Sequence, residues 1–229
     1  MNLPLALKWA SQSVSKRGLI RTGKIAGNAV LDLSFDIYWG TETTKWVWTE
    51  DLGANSEHDG NAVGYRPSKV GPLCKLIKKL MLPRDCVFID LGSGKGRVLL
   101  LAAQLGFQKV IGVEFSPALC LIARQNVRIF KRQVSKMTSH IEVIESDATR
   151  FHIPPEPCIV YAYNPFDQVV MGQFVANLTS SLKYFPRPVW LIYNTPLHWG
   201  VIENSEFREF IKAQDYYEIG GTEFKVYQY

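Results

Sequence analysis

Short apolar runs alternate with longer amphipathic stretches from about residue 69 to residue 194. The runs are rich in Val, Ile and Leu, which is typical of strands buried on both faces of a parallel sheet. They predict strands at Val87–Ile89, Lys109–Glu114, Ile141–Asp147, Cys158–Tyr163 and Pro188–Asn194. Strands separated by helices in this way predict an α/β fold with a three-layer, doubly wound, mostly parallel sheet.

Between the strands, apolar residues recur at the three- and four-residue spacing of one helix face. This spacing predicts helices at Lys69–Leu82, at Val98–Ala103, from Pro117 to about Lys131, and at Gln168–Leu182. Beyond the last parallel strand, the pattern favours an antiparallel pair that turns at Gly220-Gly221. Its first strand is expected from Glu206 to Ala213 or Tyr216, and its second at Glu223–Tyr229.

The first 64 residues differ from the rest of the chain. Two short helices are expected there, at Leu3–Val14 and at Ile25–Ile37. Aromatic residues are dense from Phe35 to Trp48, and we interpret their rings as a lid that packs on the core, with a substrate mouth as the alternative. We therefore divide the chain into an N-terminal helical and aromatic extension, residues 1–64, and a main domain, residues 65–229.

A polar residue stands at or just after the end of four predicted strands. These residues are Asp90, Glu114, Asp147 and Asn164. The carboxyl ends of parallel strands meet at one edge of a doubly wound sheet, and ligands bind there. An acid at this edge can accept hydrogen bonds from the hydroxyls of a ribose or from the amine of an adenine. The four side chains therefore predict one ligand site at this edge of the sheet.

The first strand runs into a glycine-rich turn that contains Gly92, Gly94 and Gly96 and opens a helix. Glycine lets the backbone turn tightly and lets a ligand approach the main chain. The start of the helix adds unpaired N–H groups and the positive end of the helix dipole. A strand, a glycine-rich turn and a helix in this order predict a nucleotide-binding loop.

Two common nucleotide-binding loops do not fit this turn. A P-loop requires Gly-Lys followed by Ser or Thr, whereas Lys95 is followed by Gly96 and Arg97. A dinucleotide-binding loop has its third glycine one residue later, and Asp90 would repel a pyrophosphate. The same carboxylate suits a cationic ligand.

The pattern Asp90-x-Gly92-x-Gly94-x-Gly96 resembles the first motif of class I S-adenosylmethionine-dependent methyltransferases. The likeness extends from about Tyr65 to the C-terminus. It implies a seven-stranded, mostly parallel sheet whose last strand is inserted antiparallel. It also implies S-adenosyl-L-methionine as the cofactor and methyl transfer as the activity of the main domain.

The resemblance also implies roles for single residues. The expected cofactor-binding residues are Tyr65, Ser68, Asp90, Gly92, Ser93, Gly94, Gly96, Arg97, Glu114, Phe115, Asp147, Ala148 and Asn164. Asp90 and the glycine loop match the part of the family's site that holds the methionine moiety. Glu114 matches the acid that binds the ribose hydroxyls, and Phe115 matches a residue that flanks the adenine. Asp147 and Ala148 match the pair at the adenine edge.

One branch of the family is more similar than the others. Tyr65-x-Pro67-Ser68, upstream of the glycine loop and Arg97, resembles the seven-strand protein lysine methyltransferases of the nucleosomal histone and mitochondrial ATP-synthase c-subunit types. In those enzymes the upstream tyrosine and hydroxyl residue contact the cofactor, which implies that role for Tyr65 and Ser68. Asn164-Pro165-Phe166 is similar to the Asn-Pro-Pro-aromatic motif of enzymes that methylate protein or nucleic-acid nitrogens, although its second proline is missing here.

This likeness implies in-line attack of a substrate nucleophile, with nitrogen favoured, on the sulfonium methyl group. The expected catalytic residues are Asn164, Pro165, Phe166 and Asp167. Asn164 would orient the nucleophile, and Pro165 would fix the position of the Asn164 carbonyl. Phe166 would form one side of the acceptor site, and its ring would favour an amine as the acceptor. Asp167 is the candidate general base, with the start of a helix as its alternative role.

Composition restricts the domain size, the metal content and the cellular compartment that we expect, but it does not identify the substrate. A chain of 229 residues, 47% of them hydrophobic, suits one α/β domain with a short extension. The net charge of +5 permits an acidic partner but does not require one. The four cysteines and four histidines lack metal-ligand spacing, so we expect no metal site and interpret the cysteines as reduced thiols of a cytoplasmic protein. Neither a signal peptide nor a membrane span is expected.

Three functions remain open at this point. The favoured one is a methyltransferase that acts on a protein, with lysine or a similar residue as the acceptor. The second is a small-molecule or nucleic-acid methyltransferase on the same scaffold, although the sequence shows no basic stripe with interleaved aromatic residues that would indicate nucleic acid. The third is a non-catalytic module that binds S-adenosylmethionine. The sequence leaves the oligomeric state and the acceptor open.

Overall fold

The computed structural model describes residues 12–16, 18–45, 47, 65–134 and 138–229. In these residues the strands are β1 (Val87–Leu91), β2 (Lys109–Glu114), β3 (His140–Glu145), β4 (Cys158–Tyr163), β5 (Val189–Asn194), β6 (Ala213–Ile219) and β7 (Thr222–Gln228). The α-helices are α1 (Leu19–Trp39), α2 (Val70–Lys79), α3 (Arg97–Gln104), α4 (Pro117–Gln133), α5 (Gln168–Tyr184) and α6 (Trp199–Glu203). A 3₁₀ helix at Glu206–Phe210 precedes β6.

All seven strands form one sheet in the order β3-β2-β1-β4-β5-β7-β6. The first five strands are parallel, and β7 lies antiparallel between β5 and β6. The prediction of a seven-stranded, mostly parallel sheet with an antiparallel C-terminal strand is therefore confirmed. The chain order reverses between β1 and β4, so a crevice opens at their carboxyl ends, where ligands bind in doubly wound sheets.

Two hydrophobic layers cover the two faces of the sheet. One layer contains apolar residues of α1, α2, α3 and α4, and the other contains apolar residues of α5, α6 and the 3₁₀ helix. All five residues of β1 are buried, as expected for a central parallel strand covered on both sides. No helix in the described part of the chain is long and apolar enough to cross a membrane.

Some predicted boundaries were wrong. The third strand ends at Glu145, two residues before Asp147, and the segment that begins at Glu206 is a 3₁₀ helix rather than the start of a strand. The helix expected at Ile25–Ile37 is longer, because α1 spans Leu19–Trp39. The helix expected at Leu3–Val14 lies mostly outside the described residues, as do Trp46 and Trp48.

The guanidinium of Arg97 is buried where α1 and the segment after it contact the start of α3. Its side chain is 2% exposed and lies 3.3 Å from Asp32 and 3.6 Å from Asp36, both of which are on α1. It also donates hydrogen bonds to the hydroxyls of Thr43 and Thr44, at 2.7 and 2.6 Å. A buried cation is tolerated only when it is paired and hydrogen-bonded, so these contacts fix α1 and the following segment against the start of α3.

Asp36 is the centre of this network. Its carboxylate accepts hydrogen bonds from the hydroxyls of Thr41, Thr43 and Thr44 and from two backbone N–H groups of the same segment. Burial raises its pKa, but the hydrogen bonds from Thr43, Thr44 and Thr41 outweigh burial, so the pKa of Asp36 lies below its ordinary value. Asp36 therefore stays ionised opposite Arg97.

Replacing Asp36 by Asn should destabilise the fold. The amide offers one acceptor oxygen where the carboxylate offers two, and it leaves Arg97 with Asp32 as its remaining ion-pair partner. We expect a loss of about 2 kcal/mol in the free energy of unfolding, measured by urea denaturation. Glu206→Gln is the control, because it breaks the exposed pair with Lys183 and should leave the midpoint unchanged. Equal midpoints for the two variants would contradict this role of Asp36.

Candidate active site at the carboxyl edge of the sheet

A cavity of about 300 Å³ opens at the carboxyl ends of β1, β2, β4 and β5. Its volume lies at the lower end of the range for small-molecule sites. Twelve of the predicted site residues line it: Tyr65, Ser68, Asp90, Gly92, Ser93, Gly94, Arg97, Glu114, Phe115, Asn164, Pro165 and Phe166. Residues up to 101 positions apart in the sequence thus meet around one hollow, as the strand-end pattern predicts.

Asp90 and Glu114 place two buried carboxyl groups at the wall of the cavity. They are 3% and 4% exposed. Burial, and then the nearby Glu114, raise the pKa of Asp90 well above its ordinary value. Burial also raises the pKa of Glu114, although N–H groups of Ser116, Gly94 and Phe115 oppose this effect. Neither acid is paired with Arg97, which lines the same cavity but lies against Asp32 and Asp36, so the two buried acids favour a positively charged ligand.

The glycine loop is held to Glu114 by its backbone. The N–H of Gly94 donates to Glu114 Oε2 at 2.8 Å, and the N–H of Ser116 donates to Oε1 at 2.9 Å. A carboxylate has about four acceptor positions, so Glu114 can still accept hydrogen bonds from a ligand. Ser93, which is 4% exposed, also lines the cavity, and its hydroxyl has no hydrogen-bond partner among the described residues.

Two positions of the loop have no room for a side chain, because other residues lie close to the backbone there. A Cβ on Gly94 would lie 2.3 Å from the ring of Tyr65, and one on Gly92 would lie 2.6 Å from Pro165. Both glycines also have positive φ angles, which residues with a Cβ adopt only with strain. The hydroxyl of Tyr65 donates to the carbonyl of Thr43 at 2.6 Å, so the segment after α1 holds this ring over the loop.

Asn164 follows β4 in a left-handed conformation, with φ of 35°. Its Oδ1 accepts a hydrogen bond from the hydroxyl of Tyr193 at 3.0 Å. This bond fixes the side-chain orientation and leaves the amide N–H groups and the main-chain carbonyl for a ligand. Strained backbone of this kind is frequent at functional sites.

Four predicted residues do not line the cavity. Gly96, with φ of 83°, caps α3, and a Cβ there would lie 3.2 Å from Ala123 on α4. Asp147 accepts hydrogen bonds from the N–H and hydroxyl of Thr149, and Ala148 packs in the second hydrophobic layer. Asp167 caps α5, since its Oδ1 accepts from the N–H groups of Val169 and Val170.

The cavity also has lining residues that the sequence patterns did not indicate. They are Arg66, Val98, Leu119, Tyr163, Thr195 and Leu197. Tyr163 and Thr195 could have been found, because they stand at the ends of β4 and β5, where the strand-end rule applies equally. Leu119 and Leu197 carry no comparable signal, since apolar residues in a helix or loop are ordinarily packing residues.

A family model described as "Histone methylation protein DOT1" matches residues 64–154. Two curated relatives are ribosomal protein L11 methyltransferases. The one from Alkaliphilus oremlandii is 32% identical over 92 residues, which cover 38% of this chain and 29% of the relative. The one from Ruminiclostridium cellulolyticum is 20% identical over 147 residues, which cover 62% and 43%. The chain therefore spans less than half the length of these relatives.

Solved structures show the same fold at low identity. Human methyltransferase 10 domain containing protein has a TM-score of 0.54 and 14% identity, with 79% of this chain and 90% of that chain covered. Magnesium protoporphyrin IX methyltransferase from Synechocystis, solved with bound S-adenosylmethionine, has a TM-score of 0.50 and 13% identity, with 69% and 76% covered. The chain therefore has the same fold as these two methyltransferases.

Gly94→Ala should distort the cavity wall, and Gly106→Ala is its matched control. Both glycines have positive φ angles, but a Cβ on Gly106 meets nothing within 4 Å. Backbone strain alone should cost about 1 kcal/mol at Gly106, whereas at Gly94 the Tyr65 ring must also move, for a total of about 3 kcal/mol. Chemical denaturation measures both values. Equal losses would show that Tyr65 does not constrain the loop.

Proposed function

We propose that this chain is an S-adenosylmethionine-dependent methyltransferase that transfers the methyl group to a nitrogen of a protein, with a lysine side chain as the favoured acceptor. The observation that supports it most is the joining of Asp90, Ser93, Glu114 and Asn164 around one cavity in this fold. The family model named for histone methylation spans residues 64–154 and so includes the first three of these residues.

The residues at the cavity fit S-adenosylmethionine chemically. The two buried acids, Asp90 and Glu114, suit a ligand with positive charge, and the unpartnered hydroxyl of Ser93 offers a further hydrogen bond. Glu114 keeps acceptor positions for the ribose hydroxyls, and the ring of Phe115 lies in the lining, where it can flank an adenine. When bound, the cofactor supplies an activated methyl group on a sulfonium, and the protein supplies orientation and a dry site.

The mouth of the cavity fits an amine acceptor better than a nucleic acid. Tyr163 and Phe166 are aromatic and can lie against a cationic or neutral amine. The cations in the lining are Arg66 and Arg97, and Arg97 is already paired with two aspartates. A groove for a phosphate backbone needs several cations, so this mouth favours a protein over DNA or RNA.

The names of the similar proteins agree with a protein acceptor. The family model is named for histone methylation, and the curated relatives are named for ribosomal protein L11. They support the choice of protein as the substrate class for this chain, and the acceptor residue is inferred from the aromatic mouth.

Asn164 would position the acceptor nitrogen, and its own position is fixed by Tyr193 and Pro165. An ammonium must lose its proton before nitrogen can attack. Asp167 faces α5 as its cap and lies outside the cavity lining, so we assign it to that helix and assign proton loss to water at the mouth. When bound, S-adenosylmethionine would supply the methyl group, and the acceptor nitrogen positioned by Asn164 would take that group in exchange for its bond to sulfur, which would leave S-adenosylhomocysteine.

Transfer of tritiated methyl groups tests the acceptor class. The protein is incubated with labelled S-adenosylmethionine and a cell lysate, which is then separated into protein, nucleic-acid and small-molecule fractions. We expect label in the protein fraction and a rate about 100-fold lower for Asn164→Asp, because a misplaced nucleophile loses about that factor. Asp tolerates the left-handed backbone, so the variant should fold. Label confined to another fraction would overturn the protein acceptor.

Cofactor binding should release protons through Asp90. Its pKa is raised in the free protein, and a cationic ligand favours the ionised carboxylate, so binding lowers that pKa. Affinity should therefore rise with pH up to the raised pKa of the free protein. Calorimetry in two buffers of different ionisation enthalpy measures the released protons. Wild type should release more protons than Asp90→Asn, and equal release would contradict a charged role for Asp90.

A further inference from the structure

A second cavity of about 200 Å³ adjoins the first. It is lined by Lys69, Tyr163, Asn194, Thr195, Gly221, Thr222 and Glu223. Tyr163 and Thr195 line both cavities, so the two hollows lie on either side of the same residues at the ends of β4 and β5. A molecule that occupies the mouth of the first cavity thus has room for a neighbouring group in the second.

Two residues with an unpartnered buried hydroxyl line these two cavities. In the described part of the chain, three buried side-chain atoms lack a hydrogen-bond partner: Arg84 Nη1, Ser93 Oγ and Thr222 Oγ1. Ser93 lines the first cavity and Thr222 lines the second. Buried hydroxyls in folded proteins are nearly always hydrogen-bonded, so an unpaired one beside a cavity suggests that a ligand completes it.

A chain of hydrogen bonds connects a residue of the first cavity to a residue of the second. The hydroxyls of Ser68 and Tyr161 are 2.8 Å apart, and Asn194 Nδ2 donates to the Tyr161 hydroxyl at 2.7 Å. Ser68 lines the first cavity and Asn194 the second, while Tyr161 is fully buried between them. This chain of buried bonds holds the two hollows in a fixed relation.

Thr195, which stands between the cavities, has a strained backbone. Its φ is 51°, in the left-handed region, as for Asn164 at the end of the neighbouring strand. Its N–H donates to the carbonyl of Glu223 at 2.8 Å, and its hydroxyl donates to Asn194 Oδ1 at 3.1 Å. Such strain persists only where the surroundings impose it, and it is frequent at ligand sites.

The charges of the second cavity indicate the class of group that it accepts. Lys69 and Glu223 contribute one charge of each sign, and its remaining polar side chains are hydroxyls and an amide. A phosphate would require an excess of cations, which this lining lacks. An uncharged group with a hydrogen-bonding donor and acceptor, such as a peptide amide, matches it better.

We propose that the second cavity is an acceptor subsite, in which the Thr222 hydroxyl hydrogen-bonds a main-chain amide next to the residue that is methylated. This inference rests on the proposed function, because it assumes that the acceptor reaches the first cavity past Tyr163. Thr222 is then a specificity-determining residue that distinguishes a peptide-borne amine from a free one.

Binding of a blocked lysine, Nα-acetyl-lysine methylamide, to the complex with S-adenosylhomocysteine tests the subsite. Thr222→Val removes the hydroxyl and keeps the β-branched shape, and Thr222→Ser keeps the hydroxyl as the matched control. We expect Val to raise the Kd of the probe about fivefold, the effect of one hydrogen bond, and Ser to leave it unchanged. n-Butylamine, which lacks the amides, should bind wild type and both variants alike. Titration followed by NMR measures each Kd.

Calorimetric titration separates a failure of the proposed function from a failure of the subsite. If wild type does not bind S-adenosylhomocysteine in a calorimetric titration, the proposed function falls and the subsite with it. If wild type binds it but not the blocked lysine, or if Thr222→Val binds the probe as wild type does, the subsite is overturned and the methyltransferase proposal stands. Unchanged S-adenosylhomocysteine affinity in both variants shows that they are folded.

Discussion

The burial of charge at the carboxyl edge of the sheet is the constraint on which the rest of this structure depends. Asp90, near the end of β1, and Glu114, at the end of β2, are both buried, and the cationic side chain of Arg97 at the start of α3 is buried as well. The protein satisfies Arg97 internally, with Asp32 and Asp36. It leaves Asp90 without a hydrogen bond from any described residue, which favours a cationic ligand beside that carboxyl group.

Residues 32–44 contact the loop and the ring that line the candidate site. The carboxylate of Asp36 accepts hydrogen bonds from the hydroxyls of Thr41, Thr43 and Thr44. The backbone carbonyl of Thr43 in turn accepts a hydrogen bond from the hydroxyl of Tyr65, whose ring lies over Gly94. On the other side of the loop, buried Lys95 pairs with Glu42 at 2.8 Å, and the amide of Asn126 on α4 bonds to both segments. Contacts made by residues 32–44 thus set the shape of the glycine loop, although these residues lie outside the matched family segment.

Much of the sheet and most of the cavity lining could be predicted from the sequence, because both follow from local rules. Apolar runs mark parallel strands, and polar residues at their ends meet at one edge. The partners of Arg97 could not be predicted, since Asp32 and Asp36 are more than 60 positions away and a charged helix residue is ordinarily solvated. Asp147 was predicted to end the third strand, but in the structure that strand ends two residues earlier, at Glu145. The second cavity depends on the register of β7 beside β5, which single-sequence patterns do not define.

The proposed function requires that the cavity wall completed by Glu114 bind S-adenosylmethionine. Calorimetric titration of S-adenosylmethionine into wild type and Glu114→Gln tests it most directly, because Gln keeps the size of the side chain and removes one charged acceptor. We predict saturable one-to-one binding for wild type and an affinity about tenfold lower for the variant. No binding by wild type, or equal affinities for the two proteins, would contradict it.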